Sequence, residues 1–151
     1  MRQSEIGDVS ELLRESYRWL GEREKLPPEQ VEFLVSRRGS RETVRRESRA
    51  EQYVVADDGT RLNGVVSVAG DRITKLYVRP SSHGTGVGRE LYEAAESLIA
   101  SHGHRRVTLG AFPSAVPFYE SMGLRVVGRK RAKGELFGVV ITLMEKHLTP
   151  A

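Results

Sequence analysis

Three glycines alternate with other residues near the middle of the chain, at Gly84, Gly86 and Gly88. Glycine reaches positive φ at little cost and has no Cβ to hold a ligand away from the main chain. Several backbone N–H groups of such a loop can therefore point toward one ligand. If a helix begins directly after the loop, its unpaired N–H groups and the positive end of its dipole also attract an anion. The pattern predicts a site for a phosphate-bearing cofactor.

The segments on either side of the glycines indicate a strand, an anion-binding loop and a helix. A β-branched and aromatic run covers residues 73–78, directly before the loop. After the loop, Val87, Leu91 and Leu98 recur at the spacing of one helix face, which predicts an amphipathic helix. Gly103 is suited to end that helix.

Two familiar phosphate-binding motifs do not fit this loop. A P-loop requires a lysine after its second glycine, and the loop contains none. A dinucleotide fingerprint requires a third glycine where the chain has Arg89, and an acid about 20 residues later, where the region near His104 has none. The remaining alternative is an ordinary surface turn before a helix, although three alternating glycines exceed what such a turn requires.

Two segments resemble those of the GNAT superfamily of N-acetyltransferases. The loop segment 78–91, VRPSSHGTGVGREL, is similar to the family's acyl-CoA loop, Gln/Arg-x-x-Gly-x-Gly/Ala. His83, Gly86 and Gly88 occupy its three fixed places, so a histidine stands where arginine or glutamine is usual. Segment 115–124, AVPFYESMGL, is similar to the family's Ala-x-x-Phe/Leu-Tyr-x-x-x-Gly-Phe segment. The resemblance covers most of the chain from about residue 51, and the first 50 residues match only in general layout.

The resemblance implies an α/β (α+β) fold of the acyltransferase type in a single domain over residues 1–151. Its sheet would be mixed and mostly antiparallel, with a splayed central parallel strand pair, and flanked by helices. The implied activity is transfer of an acetyl group from acetyl-CoA, the cosubstrate, to an amine acceptor by direct attack. The alternatives are a catalytically inactive acyl-CoA-binding sensor or regulatory module and a basic nucleic-acid-binding domain.

The resemblance also implies which residues bind the cofactor. Pantetheine would lie in the V between the splayed strands and pair with main-chain groups of the strand before the loop. Relatives often have an asparagine where this chain has Phe112, which would either pack on the pantetheine arm or belong to the core. The predicted cofactor-binding residues are Leu76, Tyr77, Val78, His83, Gly84, Thr85, Gly86, Val87, Gly88, Arg89, Phe112 and Tyr119.

Acetyl transfer needs a proton donor for the leaving sulfur, an oxyanion donor and a route for the proton of the amine. Tyr119 stands where the family's tyrosine commonly acts as general acid; its alternative is a core aromatic. A backbone N–H of residues 76–78 would stabilise the oxyanion, with Val78 favoured. Many relatives carry a glutamate on this strand, where the chain has Lys75. The general base is left open between a water relay, Asp71, Glu120 and Glu135.

Composition limits the other function classes. The chain has 24 basic and 20 acidic residues, a net charge of +4, and no cysteine. The absence of cysteine excludes a disulfide framework and a cysteine nucleophile. The four histidines lack zinc spacing, so no metal site is predicted. No apolar run approaches the roughly 20 residues of a membrane span and no secretory segment precedes the fold, so a cytoplasmic protein without a membrane partner is expected.

One basic segment stands out. Residues 125–133 carry five basic side chains and no acid. The segment is interpreted as a solvated strand end or as a contact for CoA phosphates or an anionic partner. Nucleic acid is an unlikely partner because no binding motif accompanies the segment. A homodimer is possible, but no surface for it can be identified in the sequence.

The remaining elements are predicted from periodicity and punctuation. Residues 1–6 are expected to form a short strand, and Asp8 to cap the first helix. Pro28 is expected in the first turn of a second helix that ends at Gly39, and Ser40 is expected to cap a third. Strands are expected at Gln52–Asp57, Leu62–Ala69, 73–78, Arg106–Ala111, 124–131 and 137–146, with helices at about 87–102 and 114–122.

Overall fold

The computed structural model of the protein describes residues 1–149, and within them six strands form one sheet. The strands are β1 (Gln52–Asp57), β2 (Leu62–Ala69), β3 (Arg72–Val78), β4 (Arg106–Ala111), β5 (Arg125–Arg131) and β6 (Val140–His147). The α-helices are α1 (Ile6–Arg23), α2 (Pro28–Phe33), α3 (Arg41–Glu47), α4 (Val87–Ser101) and α5 (Val116–Ser121). A π-helical turn, Leu34–Arg38, continues α2.

The sheet is mixed, with its one parallel pair at the centre. The strand order is β1-β2-β3-β4-β6-β5, and every neighbouring pair of strands except β3 and β4 is antiparallel. The only β3–β4 register pair within residues 1–149 joins Arg72 to Thr108, at the start of β3. Because no register pair joins the two strands beyond it, they separate toward Val78. The predicted fold class, with its splayed parallel pair, is confirmed.

Helices cover both faces of the sheet because side chains alternate along the strands. On β2, Val65 packs in a core cluster with residues of α1 and α3, whereas Val66 packs in a second cluster with residues of α4. The two apolar clusters hold α1 and α4 against opposite faces of the central strands. The C-terminal end of β3 therefore lies between two helical layers.

The prediction of a strand at residues 1–6 is wrong. A 3-10 turn, Gln3–Glu5, leads directly into α1, because the Glu5 carboxylate accepts the main-chain N–H of Arg2 at 2.8 Å. Ile6 is then buried as the first helical residue. Asp8 lies inside the first turn of α1 and does not cap it, so that prediction is also wrong.

Other local predictions are confirmed at the second and third helices. Pro28 is the first residue of α2. Ser40 caps α3, since its Oγ accepts the main-chain N–H of Thr43 at 3.1 Å. The last strand begins at Val140 rather than at 137, because a 3-10 turn, Gly134–Leu136, buries Leu136 and bends the chain first. Among residues 1–149, no helix is both long and apolar enough to cross a membrane.

Candidate active site

The loop between β3 and α4 has the backbone conformation that its glycines predict. Gly84 and Gly86 have φ of +77° and +90°, in the region where other residues are strained. A Cβ added to either glycine would meet no atom within 4 Å, so the loop borders open space. The first main-chain bond of α4 runs from the Glu90 N–H to the Gly86 carbonyl at 3.1 Å. The N–H groups of residues 87–89 therefore have no acceptor within the helix and are free to bind an anion.

Two other glycines fix where this helix begins. A Cβ on Gly64 of β2 would lie 2.6 Å from Leu91 Cδ1, so α4 can approach the sheet only because that side chain is absent. A Cβ on Gly88 would lie 3.2 Å from the ring of Phe118, which allows α5 to pack against the first turn of α4. The anion-binding turn and α5 are thereby held together beside the end of β3.

His83 connects the loop to the strand that precedes it. Its Nε2 lies 2.9 Å from the Val78 carbonyl oxygen, and because a carbonyl only accepts, Nε2 carries the proton of this hydrogen bond. The ring also packs edge-to-face on Trp19 of α1, with centroids 4.7 Å apart. The Thr85 hydroxyl donates to the Ser82 carbonyl within the loop. The imidazole therefore fixes the loop on the end of β3.

The pairing of β3 with β2 shows which main-chain groups of β3 are left without a partner strand among residues 1–149; these groups are called the free edge of β3 below. Arg79 N–H donates to the Asn63 carbonyl at 2.7 Å, and Val78 is opposite Gly64 in the next register position. Antiparallel pairs alternate between hydrogen-bonded and non-hydrogen-bonded, so the main-chain groups of Val78 and Leu76 point away from β2. They point into the gap between β3 and β4. The main-chain groups of Tyr77 point toward β2.

Three spaces surround the end of β3. The first, the loop cavity, has a volume of about 360 Å³ and lies between the glycine loop, α1 and α5. Nine of the twelve predicted cofactor-binding residues line it: Leu76, Tyr77, Val78, His83, Gly84, Gly86, Gly88, Arg89 and Tyr119. Of the other three, Val87 turns its side chain toward Gly64, Thr85 bonds within the loop, and Phe112 lines a neighbouring space.

That neighbouring space is the strand cleft, about 70 Å³ in volume, between the splayed ends of β3 and β4. Leu76, Tyr77, Phe112 and Tyr119 line it. Phe112 is half-buried and packs against the core cluster of α1. Phe112 therefore contacts the core on one side and borders the gap between β3 and β4 on the other.

Tyr119 borders both the loop cavity and the strand cleft. It is 7% exposed, and its ring packs edge-to-face on Phe118 with centroids 5.1 Å apart. Burial, with a smaller contribution from the Tyr77 phenol, raises the pKa of Tyr119 well above its usual value. The hydroxyl therefore keeps its proton over the whole physiological range and is available as a donor.

Sequence reasoning missed the contribution of α1 to the loop cavity. Ser16, Trp19 and Leu20 line it, at the i, i+3, i+4 spacing of one helix face. The Ser16 hydroxyl is buried and has no hydrogen-bond partner within residues 1–149. Arg79, buried at the end of β3, pairs with Glu15 and so holds this part of α1 beside the strand. The helical spacing was visible in the sequence, but the direction of that face was not.

The three carboxylates considered as bases lie elsewhere. The Asp71 carboxylate contacts Arg106 Nε at 2.9 Å at the start of β3, away from the loop. Partial burial acts to raise the pKa of Asp71, but the hydrogen bonds from Arg106 and the Thr108 hydroxyl outweigh it and lower that pKa. Glu120 is exposed on α5, and Glu135 lies 3.9 Å from Arg37. None of the three carboxylates lines the loop cavity or the strand cleft.

The strand β3 carries a buried lysine, Lys75, and no acid. Lys75 Nζ lies 3.1 Å from Glu47 Oε1 and 3.0 Å from Glu51 Oε2; these three residues are called the Lys75 triad below. Burial works against the charged form, but the Tyr53 phenol and the two carboxylates raise the pKa of Lys75 above its usual value. The lysine is therefore a fixed cation that holds two acids of the α3 region beside β3.

The third space, the outer cavity, is the largest of the three, at about 650 Å³. It is bounded by the π-helical turn, by α3 and by Thr74, Lys75 and Tyr77 of β3, and the Lys75 triad forms part of its wall. Tyr77 lines the outer cavity, the strand cleft and the loop cavity. Tyr77 is therefore the residue that separates or joins these three spaces.

The basic segment at 125–133 lies away from these spaces. It covers the edge strand β5 and the turn after it, and Arg125 pairs with Glu145 at 3.1 Å. None of its residues lines the loop cavity, the strand cleft or the outer cavity. Its position favours the interpretation as a solvated strand over a contact with the ligand of the loop.

Known proteins share this architecture. A GCN5-related N-acetyltransferase from Rhodopseudomonas palustris, also described as a class-II aminotransferase, superposes with a TM-score of 0.89 at 23% identity, covering 98% of this chain and 92% of its own. The PaiA N-acetyltransferase from Thermoplasma acidophilum, solved with coenzyme A, gives 0.77 at 20% identity, covering 97% and 95%. An aminoglycoside 6′-acetyltransferase of type Ii gives 0.75 at 20% identity, covering 100% and 96%. At these identities the similarity concerns the fold.

The family itself is identified by a sequence-level match over most of the chain. The model of the acetyltransferase (GNAT) domain matches residues 22–148, which include the glycine loop, the splayed strand pair and Tyr119. The resemblance seen in the loop segment and in the Tyr119 segment is thereby confirmed. The chain belongs to the GNAT acetyltransferase family.

Proposed function

We propose that the protein transfers the acetyl group of acetyl-CoA to the amine of an acceptor by direct attack. One observation carries the proposal. A single cavity combines the unpaired N–H groups at the start of α4, the free edge of β3 and the buried phenol of Tyr119. Membership in the family and the neighbour solved with coenzyme A support the choice of an acyl-CoA.

The residues of the loop fit a diphosphate. Its charge would be held by the N–H groups of Val87, Gly88 and Arg89, where the open space beside Gly84 and Gly86 leaves room for the ligand. The main-chain groups of Leu76 would pair with the amides of the pantetheine arm, as an added strand would, because the Val78 carbonyl already accepts a hydrogen bond from His83. The smaller strand cleft, with Phe112 on its wall, would receive the thioester end.

In the reaction, the amine nitrogen forms a bond to the thioester carbonyl carbon, and the bond from carbon to sulfur breaks. The Val78 N–H, which points into the gap, would stabilise the negative charge on the carbonyl oxygen. Tyr119 would give its hydroxyl proton to the departing sulfur and recover one from solvent. The amine would lose its proton to water, since Asp71, Glu120 and Glu135 lie away from these spaces.

The proposal is tested by following CoA release from acetyl-CoA in the presence of a broad panel of amines. Acetylation of at least one amine, with a higher melting temperature in acetyl-CoA, is the expected result. Tight binding of acetyl-CoA without transfer to any amine would instead favour the sensor module. Salt-dependent binding of DNA or RNA without a response to CoA would favour the nucleic-acid-binding alternative. A cytoplasmic location, a homodimer and the extent of the domain stay predictions from the sequence.

A further inference from the structure

The wall of the outer cavity carries both positive and negative side chains, and only some of them are paired with each other. Four basic and three acidic side chains line it. The Lys75 triad contributes one positive and two negative charges and is net negative by itself, and Arg46, directly before Glu47 in α3, adds a positive charge to the same wall. Arg38 and Arg46 form no ion pair with a carboxylate among residues 1–149, so their charges are available to a ligand.

An unusual turn places the arginines on this wall. Gly39 N–H donates to the Leu34 carbonyl at 2.8 Å, the i to i+5 bond of a π-helix, and such turns occur often at functional sites. The guanidinium carbons of Arg37 and Arg38 each lie 5.6 Å from the centre of the Phe33 ring, which also lines the cavity. These contacts place both guanidinium groups on this wall. Of the two, Arg37 is also within 3.9 Å of Glu135.

Arg38 acts on the end of the cavity that adjoins the loop cavity. Tyr17 and Tyr77 pack edge-to-face there, with ring centroids 5.0 Å apart. Burial chiefly raises the pKa of both phenols, and the positive charge of Arg38 opposes the rise in each. Arg38 and Tyr77 line the same cavity, so the guanidinium charge lies on the wall that leads toward the end of β3.

From this arrangement we propose that the acceptor is a small amine that also carries a carboxylate, bound by Arg38 and Arg46. The net negative Lys75 triad would attract its ammonium group, and the guanidinium groups would bind its carboxylate, for which their planar fork is suited. The cavity has the volume of a small-molecule site, about 650 Å³. A polycationic acceptor would be repelled by the arginines. The inference rests on the proposed acetyl transfer and specifies its second substrate.

The test compares each standard L-amino acid with its own carboxamide, which keeps the amine and nearly the same size but removes the negative charge. Spermidine and kanamycin serve as polycationic probes. For at least one pair, kcat/KM for the acid is expected to exceed that for the amide by about tenfold or more. A protein that acetylates the amides or the polycations at least as well as every acid would contradict the inference while leaving acetyl transfer established.

Variants separate recognition of the carboxylate from general damage. Arg38→Gln is expected to lower kcat/KM for the acid by about 10- to 100-fold and to change that for the amide little. Arg45→Gln, on the same helix as Arg46 but outside the cavity wall, is the matched control and should change neither value. An equal loss for acid and amide in Arg38→Gln would overturn the proposal. Both variants should keep the melting-temperature response to acetyl-CoA.

A binding measurement keeps the inference testable if no amine is acetylated. The same acids and amides are titrated into the isotope-labelled protein in the presence of CoA, and amide signals of residues 34–47 are followed. Binding of an acid that is lost in Arg38→Gln and not shared by the amide would support the ligand class even without turnover. In that case the transfer itself would be refuted. Absence of any binding specific to the acids would overturn the ligand class.

Discussion

Replacing Tyr119 with phenylalanine removes one hydroxyl and leaves the packing of the ring in place. The ring is buried between the loop cavity and the strand cleft and contacts Phe118, so Tyr119→Phe should fold normally. The variant tests one step, the delivery of a proton to the leaving sulfur. Its binding of acetyl-CoA should be nearly unchanged, because the predicted phosphate contacts are main-chain groups of the loop.

The size of the effect follows from the environment of the phenol. General acid catalysis typically contributes about 100- to 10,000-fold, and it is strongest when the pKa of the donor lies near the operating pH. Burial raises the pKa of Tyr119 above that of an ordinary phenol, while a thiol titrates near about 8.5. Proton transfer to sulfur is therefore uphill until charge has developed there. We expect a loss in kcat of about 10- to 100-fold, or about 1.4–2.7 kcal/mol, at the low end of the general range.

The assay is release of CoA thiol under saturating acetyl-CoA, with an acceptor found in the amine panel. Tyr92→Phe is the matched control, because the Tyr92 hydroxyl is also buried, has no hydrogen-bond partner within residues 1–149 and lies outside the loop cavity. The control should retain the kcat of the parent protein. A Tyr119→Phe variant with unchanged kcat would refute the role of the phenol. A loss shared equally by Tyr92→Phe would show that the effect is structural.

Three further perturbations test the loop, the Lys75 triad and the buried phenols. Gly86→Ala forces a side chain into φ of +90° at the cap of α4 and should weaken acetyl-CoA binding about tenfold or more. The control Gly59→Ala, at φ of +93° in the β1–β2 turn, should impose a similar strain of about 1 kcal/mol without affecting binding. Equal Kd values of the two variants for acetyl-CoA, measured by calorimetry, would contradict this prediction. Lys75→Met leaves two carboxylates facing each other and should lower the free energy of unfolding by about 3 kcal/mol, at the low end for a buried pair because Glu47 remains partly exposed. An unchanged urea midpoint would contradict this prediction. Burial raises the pKa of all five phenols, so the folded state favours their protonated forms, while unfolded tyrosines ionise near about 10. The stability that depends on these protonated phenols is complete below that pH and is lost above it, so the free energy of unfolding should be lower at about pH 10.5 than at about pH 8, with a smaller decrease in Tyr119→Phe. The phenols are those of Tyr17, Tyr53, Tyr77, Tyr92 and Tyr119.

The anion-binding turn could be predicted from the sequence because its physics is local. Glycine is the residue that adopts positive φ cheaply, and Gly84 and Gly86 adopt it. The helix begins at Val87, directly after the last of these positions. The positions of the six strands along the chain also followed from alternation and turn residues, which depend on neighbours within a few positions.

Features that depend on distant residues could not be predicted. Lys75 looked out of place on its strand until Glu47 and Glu51, 28 and 24 positions earlier in the chain, were found beside it. The face of α1 that carries Ser16 and Trp19 has a visible helical spacing, but only packing against the end of β3 shows that it lines a cavity. At the N-terminus a strand was expected, because the hydrophobic pattern carries no signal of the hydrogen bond from the Arg2 main-chain N–H to the Glu5 carboxylate that begins the helix.

We propose that unpaired main-chain N–H groups at the start of α4 bind the diphosphate of acetyl-CoA while the free edge of β3 binds its pantetheine arm. The decisive measurement is a titration of acetyl-CoA into the isotope-labelled protein in which backbone amide signals are followed. The largest changes are expected across residues 84–89, with further changes at Leu76 and Val78 and little change on the edge strand β5. Saturating acetyl-CoA that leaves the signals of residues 84–89 unmoved would contradict this proposal.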